Sequence, residues 1–314
     1  MSEEIVLAAD LGGTNLRMAA IDRRGKILYR TRRETPRGEA AGEIVRAIVE
    51  SAGECLKNCG GFRVEAIAAA VPATVSASDG MIVTAPNLPA LNNFKMAAAL
   101  ENELGVKAIL ENDANAAAIG ENWLGASKGY KNSIYITLGT GVGGGIIVDG
   151  KVLRGGGTAG EIGHLCVEAF GAPCGCGSVG CVEQYGSASA IVRTAEELKA
   201  RYAESALKNK TQLSAFEVFQ AGIGGDELAL EVFRQMGFYL GVAITSLLNI
   251  LNPEIVVIGG GASGGWELFA PQMRETVRQR SYGGSPVRAK IMRGELGDDA
   301  GISGAARLAF DSAA

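Results

Sequence analysis

The stretch from Glu161 to Glu183 constrains the fold most, because it concentrates the potential metal ligands of the chain. It holds the only histidine of the sequence, His164, and four of the six cysteines. Three of them, Cys174, Cys176 and Cys181, join His164 to offer one imidazole and three thiols. This is the ligand set of a closed, structural tetrahedral zinc site. We therefore predict a zinc-binding loop over residues 164–181.

Disulfide bonds are the competing interpretation of these cysteines. Three thiols cannot pair completely, the N-terminus does not read as a secretory leader, and a bonded Cys-x-Cys pair would be strained. We interpret the remaining cysteines, Cys55, Cys59 and Cys166, as small buried apolar residues. Closure of the loop around an ion would bring its end residues, Glu161 and Glu183, toward one pocket.

Composition excludes several classes of protein. The chain has 314 residues, of which 47% are hydrophobic and 20% charged, and this suits two globular domains with ample cores. The net charge of −4 and the lack of a basic patch argue against nucleic-acid binding. The longest apolar run, Gly237 to Leu251, is short for a membrane span and is interpreted as a buried helix. We expect a cytoplasmic protein without a nucleic-acid or membrane partner.

The two halves of the chain repeat one order of elements: three strands, a helix, a strand, a helix and a strand. We predict two similar α/β domains with a cleft between them. The small domain covers residues 1–118 plus a terminal helix at about 300–314, and the large domain covers residues 119–299. The alternative is two ordinary α/β layers whose glycine turns agree by chance.

Several local features accompany this order. The predicted elements are strands Ile5–Ala9, Leu16–Ile21, Lys26–Arg30, Glu65–Val71, Val106–Leu110, Ser133–Thr137, Gly145–Val148, Lys151–Leu153, Glu254–Ile258 and Val287–Met292, and helices Ile44–Leu56, Asn93–Leu104, one from Pro271 and one from Ala300. A capping box formed by Ser214 and Glu217 predicts another helix start.

Three glycine-rich turns follow predicted strands and are candidates for contact with a nucleotide. Glycine lets backbone N–H groups approach phosphate oxygens, and threonine adds a hydroxyl. The turn residues are Asp10, Gly12, Gly13, Thr14 and Asn15 in the first, Thr140 and Gly141 in the second, and Gly260 in the third. We expect Asp10 to hold Mg²⁺ through water and the Gly259–Gly261 turn to contact adenine. Taken singly, each turn is also compatible with a plain tight turn.

Asp113 ends a predicted buried strand beside Asn112. A carboxylate in that place is able to accept a proton from a substrate hydroxyl. The same residue is equally suited to cap a helix that begins at Ala114. Sequence alone leaves both interpretations open.

Taken together, these motifs resemble the ROK family (repressors, open reading frames and kinases) of the actin-like, hexokinase-type ATPase superfamily. DLGGTN and LGTGVGGG are similar to its two phosphate motifs, and END to its catalytic motif. EIGH and CGCGSVGCVE are similar to its sugar-and-zinc signature. The resemblance covers nearly the whole chain.

The resemblance implies a duplicated ribonuclease-H-like fold and an ATP-dependent hexose kinase of glycolysis, with glucose as the expected substrate. It implies that Asp113 is the general base and that ATP, Mg²⁺ and Zn²⁺ are bound. The residues implied to bind sugar are Asn112, Asp113, Glu161, His164 and Glu183, and the implied zinc ligands are His164, Cys174, Cys176 and Cys181. Dimers are common in the family, so we expect a homodimer or homotetramer.

Two segments depart from the family pattern near the sugar. Ala73 replaces a frequent glycine, and the run APNLPALNNF lacks a frequent tryptophan. N-acylmannosamine, N-acetylglucosamine, fructose and allose are therefore alternative substrates. Separately, polyphosphate is an alternative to ATP as phosphoryl donor, although relatives that use it tend to lack the cysteine motif. A sugar-responsive repressor is a further alternative, disfavoured because the first strand begins at about Ile5 and leaves no room for a DNA-binding module.

Overall fold

The computed structural model describes residues 4–38, 40–282 and 289–313. The chain divides into two compact units. The first unit comprises Met1–Gly129, Gly145–Ala159 and Asp298–Ala314, and the second comprises Tyr130–Gly144 and Gly160–Gly297. The predicted domain boundary at residues 118/119 stays a prediction.

The described residues form runs of strands interspersed with helices. The strands are β1 (Glu4–Leu11), β2 (Asn15–Asp22), β3 (Ile27–Glu34), β4 (Arg63–Val71), β5 (Thr74–Ser76), β6 (Met81–Thr84), β7 (Lys107–Asn112), β8 (Ser133–Leu138), β9 (Val142–Val148), β10 (Lys151–Val152), β11 (Ile255–Gly259) and β12 (Lys290–Arg293). The helices are α1 (Ala41–Asn58), α2 (Met96–Leu104), α3 (Asp113–Trp123), α4 (Glu183–Gly186), α5 (Ala188–Leu198), α6 (Ala215–Ile223), α7 (Glu227–Leu251), α8 (Trp266–Arg280) and α9 (Ala300–Ala313).

The first unit is built on a five-stranded sheet of order β3-β2-β1-β4-β7. β1 and β2 pair antiparallel, as do β2 and β3, whereas β4 is parallel to both β1 and β7. Alternate side chains of β1 enter different cores, because successive residues of a strand face opposite sides. Ile5 and Leu7 pack with residues of α1 and α2, and Val6 and Ala8 pack with residues of α3 and α9. Both faces of this sheet are therefore covered by helices.

Small residues let α9 lie close to α3. A Cβ atom at Gly304 would overlap the carbonyl oxygen of Ala116, and one at Gly120 would overlap that of Ala300. Backbone atoms cannot move aside as a flexible side chain does, so glycine is required at both positions. This contact fixes the C-terminal helix within the first unit.

A second five-stranded sheet has the order β10-β9-β8-β11-β12. β11 is parallel to both β8 and β12, and β9 and β10 form an antiparallel hairpin. Its turn residues Asp149 and Gly150 have φ angles of 49° and 76°, as the tight two-residue turns of hairpins require. The same strand order thus occurs in both sheets.

The apolar run from Gly237 to Leu251 lies in α7, whose buried residues include Leu240, Ile244 and Leu247. Within the part of the chain that the structure describes, none of the helices is long and apolar enough to cross a membrane. The predicted capping box is confirmed: Ser214 and Glu217 exchange hydrogen bonds at the start of α6.

Helices α2 and α8 differ from the sequence prediction. Helix α2 begins at Met96 rather than Asn93, because Asn93 has a φ angle of 55° and Phe94 bridges to Ile82 of β6. Helix α8 begins at Trp266 and includes Pro271, so the proline does not open the helix.

The hairpin of β5 and β6 was not predicted. Its strands have 3 and 4 residues, too few to show a clear alternation of apolar and polar residues. The predicted strand start at Val287 lies outside the described residues, and β12 begins at Lys290.

Candidate active site and metal centre

Asn112 and Asp113 lie at the junction of β7 and α3. The side-chain oxygen of Asn112 accepts hydrogen bonds from the backbone nitrogens of Ala114 (3.0 Å) and Asn115 (3.1 Å). Asn112 is therefore the N-cap, and the alternative that Asp113 caps a helix beginning at Ala114 is wrong. Asp113 is the first helical residue, and its Oδ1 accepts from the Ala114 nitrogen at 2.9 Å.

The amide nitrogen of the Asn112 side chain donates to the carbonyl oxygen of Ala73 at 3.3 Å. This contact places Ala73, one of the departures from the family pattern, beside the candidate catalytic turn. With both ends of its amide engaged, Asn112 holds the turn that presents Asp113.

Asp10 lies near the end of β1 and is largely buried, with a side chain 21% exposed. Its carboxylate lies 3.6 Å from the guanidinium of Arg17, which also binds Asp298 at 2.8 Å. Burial raises the pKa of Asp10, and the charge of Arg17 opposes that rise only in part. Gly301 of α9 approaches the same carboxylate, since a Cβ atom there would lie 3.3 Å from Asp10 Oδ1.

Asp10 and Asp113 lie at one edge of the first sheet. Asp10 is paired in register with Ala70 of β4, and Ala70 is paired with Glu111 of β7. Strands lie about 4.8 Å apart, so Asp10 and Glu111 are separated by about 10 Å across the carboxyl ends of parallel strands. Asp113 follows Glu111 by two residues. Two carboxylates thus lie where open α/β sheets commonly bind ligands.

The turn that joins β1 to β2 is short. The Gly12 nitrogen donates to the Asn15 carbonyl at 2.8 Å, and the Gly12 carbonyl accepts from the Thr35 hydroxyl at 2.7 Å. Gly13 and Thr14 at its tip are exposed. Asn15 accepts from Arg32 at 3.0 Å. The tip therefore leaves backbone atoms accessible to a ligand.

In the second unit, the residues Thr140, Gly141 and Gly260 follow two neighbouring parallel strands, β8 and β11. The carbonyl oxygen of Thr140 accepts from Ser189 at 2.9 Å, which ties the loop to α5. Gly260 has a φ angle of 82°, and a Cβ atom there would lie 2.5 Å from the Leu138 carbonyl. Glycine is needed at position 260, and the two predicted nucleotide turns lie together at one sheet edge.

The four predicted metal ligands, His164, Cys174, Cys176 and Cys181, converge in the second unit. Their ligand atoms all lie within 4.8 Å of one another. His164 Nδ1 lies 3.7 Å from Cys174 Sγ, and Cys176 Sγ lies 3.7 Å from Cys181 Sγ. All six cysteines are free, so the disulfide alternative is excluded.

These distances fit a zinc ion. Zn–S bonds of about 2.3 Å in tetrahedral geometry separate two sulfurs by about 3.8 Å. Burial raises the pKa of the Cys181 thiol to about 12, whereas a backbone hydrogen bond from Ser178 lowers the pKa of Cys176. Cys181 therefore needs a nearby cation to remain a thiolate. The loop is shaped by a turn in which Cys174 accepts from Gly177 at 3.0 Å.

The three remaining cysteines differ in solvent exposure. Cys55 and Cys59 are buried, as predicted, but Cys166 is exposed, so its interpretation as a buried apolar residue is wrong. Cys166 forms an isolated β-bridge with Cys181. Cysteine spacing does not reveal which of these side chains face solvent.

Glu183 joins the metal cluster to the glycine-rich loop. Its Oε2 accepts from the Val142 nitrogen at 3.0 Å, and its Oε1 lies 4.0 Å from Cys174 Sγ. A Cβ atom at Gly141 would overlap this carboxylate, so the glycine makes the contact possible. Glu161 is exposed and precedes the short helical turn that carries His164.

The predicted residues thus fall into two groups. Asp10, Gly12, Gly13, Thr14, Asn15, Asn112 and Asp113 lie in the first unit, and the others lie in the second. Sequence reasoning missed three charged residues. Arg17 lies beside Asp10. Glu111 accepts a hydrogen bond from the Asn112 nitrogen and pairs with Arg154. An isolated arginine carries no spacing signal, and the partners of Arg154 are distant in sequence.

Comparison with known proteins adds to this geometry. The ROK family profile matches residues 6–312. A glucokinase of Halalkalibacterium halodurans is 36% identical over 97% of this chain and 94% of its own. A crystal structure of a ROK family glucokinase from Streptomyces griseus, in complex with glucose and AMPPNP, is 34% identical with a TM-score of 0.83, covering 98% of this chain and 99% of that chain.

A repressor is also similar. The xylose repressor of Caldicellulosiruptor bescii is 28% identical over 95% of this chain but only 76% of its own. The family profile and the long match above 30% identity agree with the motifs quoted from the sequence. The chain therefore belongs to the ROK family.

Proposed function

We propose that this protein transfers the terminal phosphoryl group of ATP to a hexose, with glucose as its substrate. Its glucokinase relatives support this activity. The observation that carries it is the pair of carboxylates, Asp10 and Asp113, at one edge of the first sheet. A kinase of this kind needs one carboxylate for the metal and phosphates and another for the sugar hydroxyl.

The proposed step uses Asp113 as a general base. A carboxylate oxygen of Asp113 accepts the proton of the sugar hydroxyl, O6 in glucose. That oxygen forms a bond to the γ-phosphorus as the bond between the γ-phosphorus and the β–γ bridging oxygen breaks, and ADP leaves. The cap formed by Asn112 keeps Asp113 in place while the proton moves.

Asp10 and the glycine turns are proposed to hold the nucleotide. Mg²⁺ bound through water at Asp10 would offset negative charge on the phosphates. Asp10 suits this role because it is a largely buried carboxylate at a strand end. Gly12, Gly13, Thr14 and Asn15 on one side, and Thr140 and Gly141 on the other, would position the phosphates. Gly260 would contact the adenine.

The Cys/His cluster is proposed to bind a structural zinc ion. Zinc would hold the loop closed and fix the ring of His164, whose Nδ1 faces Cys174. The other ring nitrogen would then be free to contact a sugar hydroxyl. Glu161, Glu183 and Asn112 are proposed to bind the remaining hydroxyls.

The finer architecture stays a proposal as well. The equal strand order of the two sheets supports a duplicated ribonuclease-H-like fold. A small domain of residues 1–118 with the terminal helix, a large domain of residues 119–299 and a cleft between them remain as predicted from the sequence. We expect a homodimer or homotetramer, which light scattering of the purified protein would measure.

A coupled assay that follows ADP release tests the proposal. Glucose, fructose, allose, N-acetylglucosamine and N-acetylmannosamine would each be offered with Mg²⁺ and either ATP or polyphosphate. The proposal predicts the highest kcat/KM for glucose with ATP. Turnover with none of these sugars would refute it, and preference for another sugar would correct the substrate.

The similarity to a xylose repressor supports a second candidate function, that of a sugar-responsive DNA-binding protein. The sequence disfavours this candidate because no basic recognition helix is apparent in it and because Asp113 is retained. A mobility-shift assay with random-sequence and genomic promoter DNA would separate the two. Sugar-dependent DNA binding without sugar phosphorylation would favour the repressor.

A further inference from the structure

Glu111 and Arg154 form an ion pair that the proposed mechanism does not use, and the Arg154 side chain is 41% exposed. The Glu111 side chain is 4% exposed. Its Oε2 accepts from Arg154 Nε at 2.9 Å and from a second guanidinium nitrogen at 2.6 Å. Its Oε1 accepts from the backbone nitrogen of Asn112 at 3.0 Å and from the side chain of Asn115 at 3.1 Å. Both carboxylate oxygens are therefore fully engaged.

These contacts surround the turn that carries Asp113. Asn112 and Asn115 lie on either side of Asp113 in sequence, and Glu111 holds both. The carboxylate of Glu111 thus fixes the last peptide of β7 and the first turn of α3 at once. Arg154 is the only cation bound to Glu111 among the ion pairs of the described residues.

Arg154 immediately precedes a glycine-rich segment, residues 155–160. It follows Leu153, whose nitrogen donates to Ile146 at 2.7 Å, and its carbonyl accepts from Gly157 at 2.7 Å. Gly155, Gly157 and Gly160 then have φ angles of 53°, 110° and 92°. This segment leads to Glu161. One guanidinium therefore fixes the start of that segment to the strand that ends at the candidate base.

Stability alone does not explain such a pair. An ion pair with a partly exposed arginine usually contributes little to folding, because solvent screens the charge. A second pair in the same unit, Arg23 with Glu65, has a similarly buried carboxylate, 8% exposed, but Glu65 lies near the start of β4, far in register from Asp113. Arg63 also contacts Glu65, at 3.4 Å. The Arg23 pair serves as a control for the loss of an arginine away from the turn.

We propose that Arg154 is a positioning residue for phosphoryl transfer. Through Glu111 it sets the orientation of Asn112 and Asp113, and it anchors the segment that leads to Glu161. The expected effect on kcat rests on the proposed function. The expected effect on the order of residues 112–115 rests on the hydrogen bonds alone.

The test compares Arg154→Gln with Arg23→Gln. Arg154→Gln is expected to lower kcat by about tenfold to a hundredfold, since small misplacements of a reacting group have effects of that size. Arg23→Gln is expected to lower Tm less, because Arg63 still contacts Glu65, and to leave kcat within about twofold, because Glu65 does not touch the turn. Equal kcat losses in both variants, or no loss in Arg154→Gln, would overturn the proposal.

The double variant Arg154→Gln with Glu111→Gln separates positioning from folding. It removes the unpaired buried charge, so Tm should recover while kcat stays low. Full recovery of kcat together with Tm would show that the pair is merely structural, and the proposal would fail.

Hydrogen–deuterium exchange without substrates distinguishes this proposal from the proposed function. The amides of residues 112–115 should exchange faster in Arg154→Gln than in the unaltered protein, and not in Arg23→Gln. If the unaltered protein phosphorylates no sugar, the proposed function fails, and exchange still decides whether Arg154 holds the turn. Unchanged exchange would refute the positioning role.

Discussion

At the scale of the residue, Asp10 combines a functional charge with a cost in stability. Burial raises its pKa, which means that the fold favours the neutral carboxyl over the carboxylate. The unfolded chain ionises near the ordinary value, so stability falls as pH rises through that value and on through the raised folded value. The fold thus disfavours ionisation of the carboxylate that is proposed to hold Mg²⁺.

Asp10→Asn should therefore raise Tm at neutral pH while lowering kcat by about a hundredfold or more. The gain in Tm should shrink as pH falls below the ordinary aspartate pKa, where both side chains are neutral. Thermal unfolding between pH 3 and 8 measures this, with Asp311→Asn, an exposed aspartate, as the control. A Tm gain that does not depend on pH would contradict the account.

At the scale of the element, the pairing of α3 with α9 depends on glycine. Gly304→Ala would push a methyl group into the Ala116 carbonyl oxygen. It should lower the free energy of unfolding by about 1–3 kcal/mol, the usual cost of overpacking. Chemical denaturation would measure this loss.

Gly53→Ala is the matched control, because Gly53 lies within α1 and a Cβ atom there meets nothing within 4 Å. It should raise stability by about 0.5–1 kcal/mol, since alanine favours helix. A Gly304→Ala variant as stable as Gly53→Ala would show that the two helices do not approach as closely as described.

Elements with a strong local signal were predictable, and those fixed by tertiary contacts were not. The helix Ala41–Asn58 follows from apolar spacing, and the Ser214 capping box from residue types at fixed offsets. Asn112 displaced Asp113 as the helix cap because both residues are good caps and sequence does not show which side chain points back. The contacts of Arg154 depend on a partner 43 residues away.

At the scale of the whole molecule, the proposed zinc site would link metal binding to folding. The four ligands and their spacing were predictable, since three thiols and one imidazole in a short segment have few other uses. The composition of the two compact units was harder to predict. Gly145–Ala159 belongs to the first unit, although it directly follows a segment of the second.

Elemental analysis should find one zinc ion per chain, and its removal should lower both Tm and glucose affinity. A site that binds only the folded chain adds about 4 kcal/mol at a free ligand concentration a thousandfold above Kd. Cys176→Ser should reproduce the loss, and Cys166→Ser, outside the cluster, should not. Zinc-free protein of unchanged Tm would contradict the assignment.

The central claim is that Asp113 removes the proton from the sugar hydroxyl, and Asp113→Asn tests it most directly. The substitution keeps the shape of the side chain but removes its basicity. With ATP, Mg²⁺ and glucose, kcat should fall by about 10²–10⁴-fold, while the Kd for glucose, measured by calorimetry, stays within a few-fold of the unaltered protein. Near-normal turnover in Asp113→Asn would contradict the account.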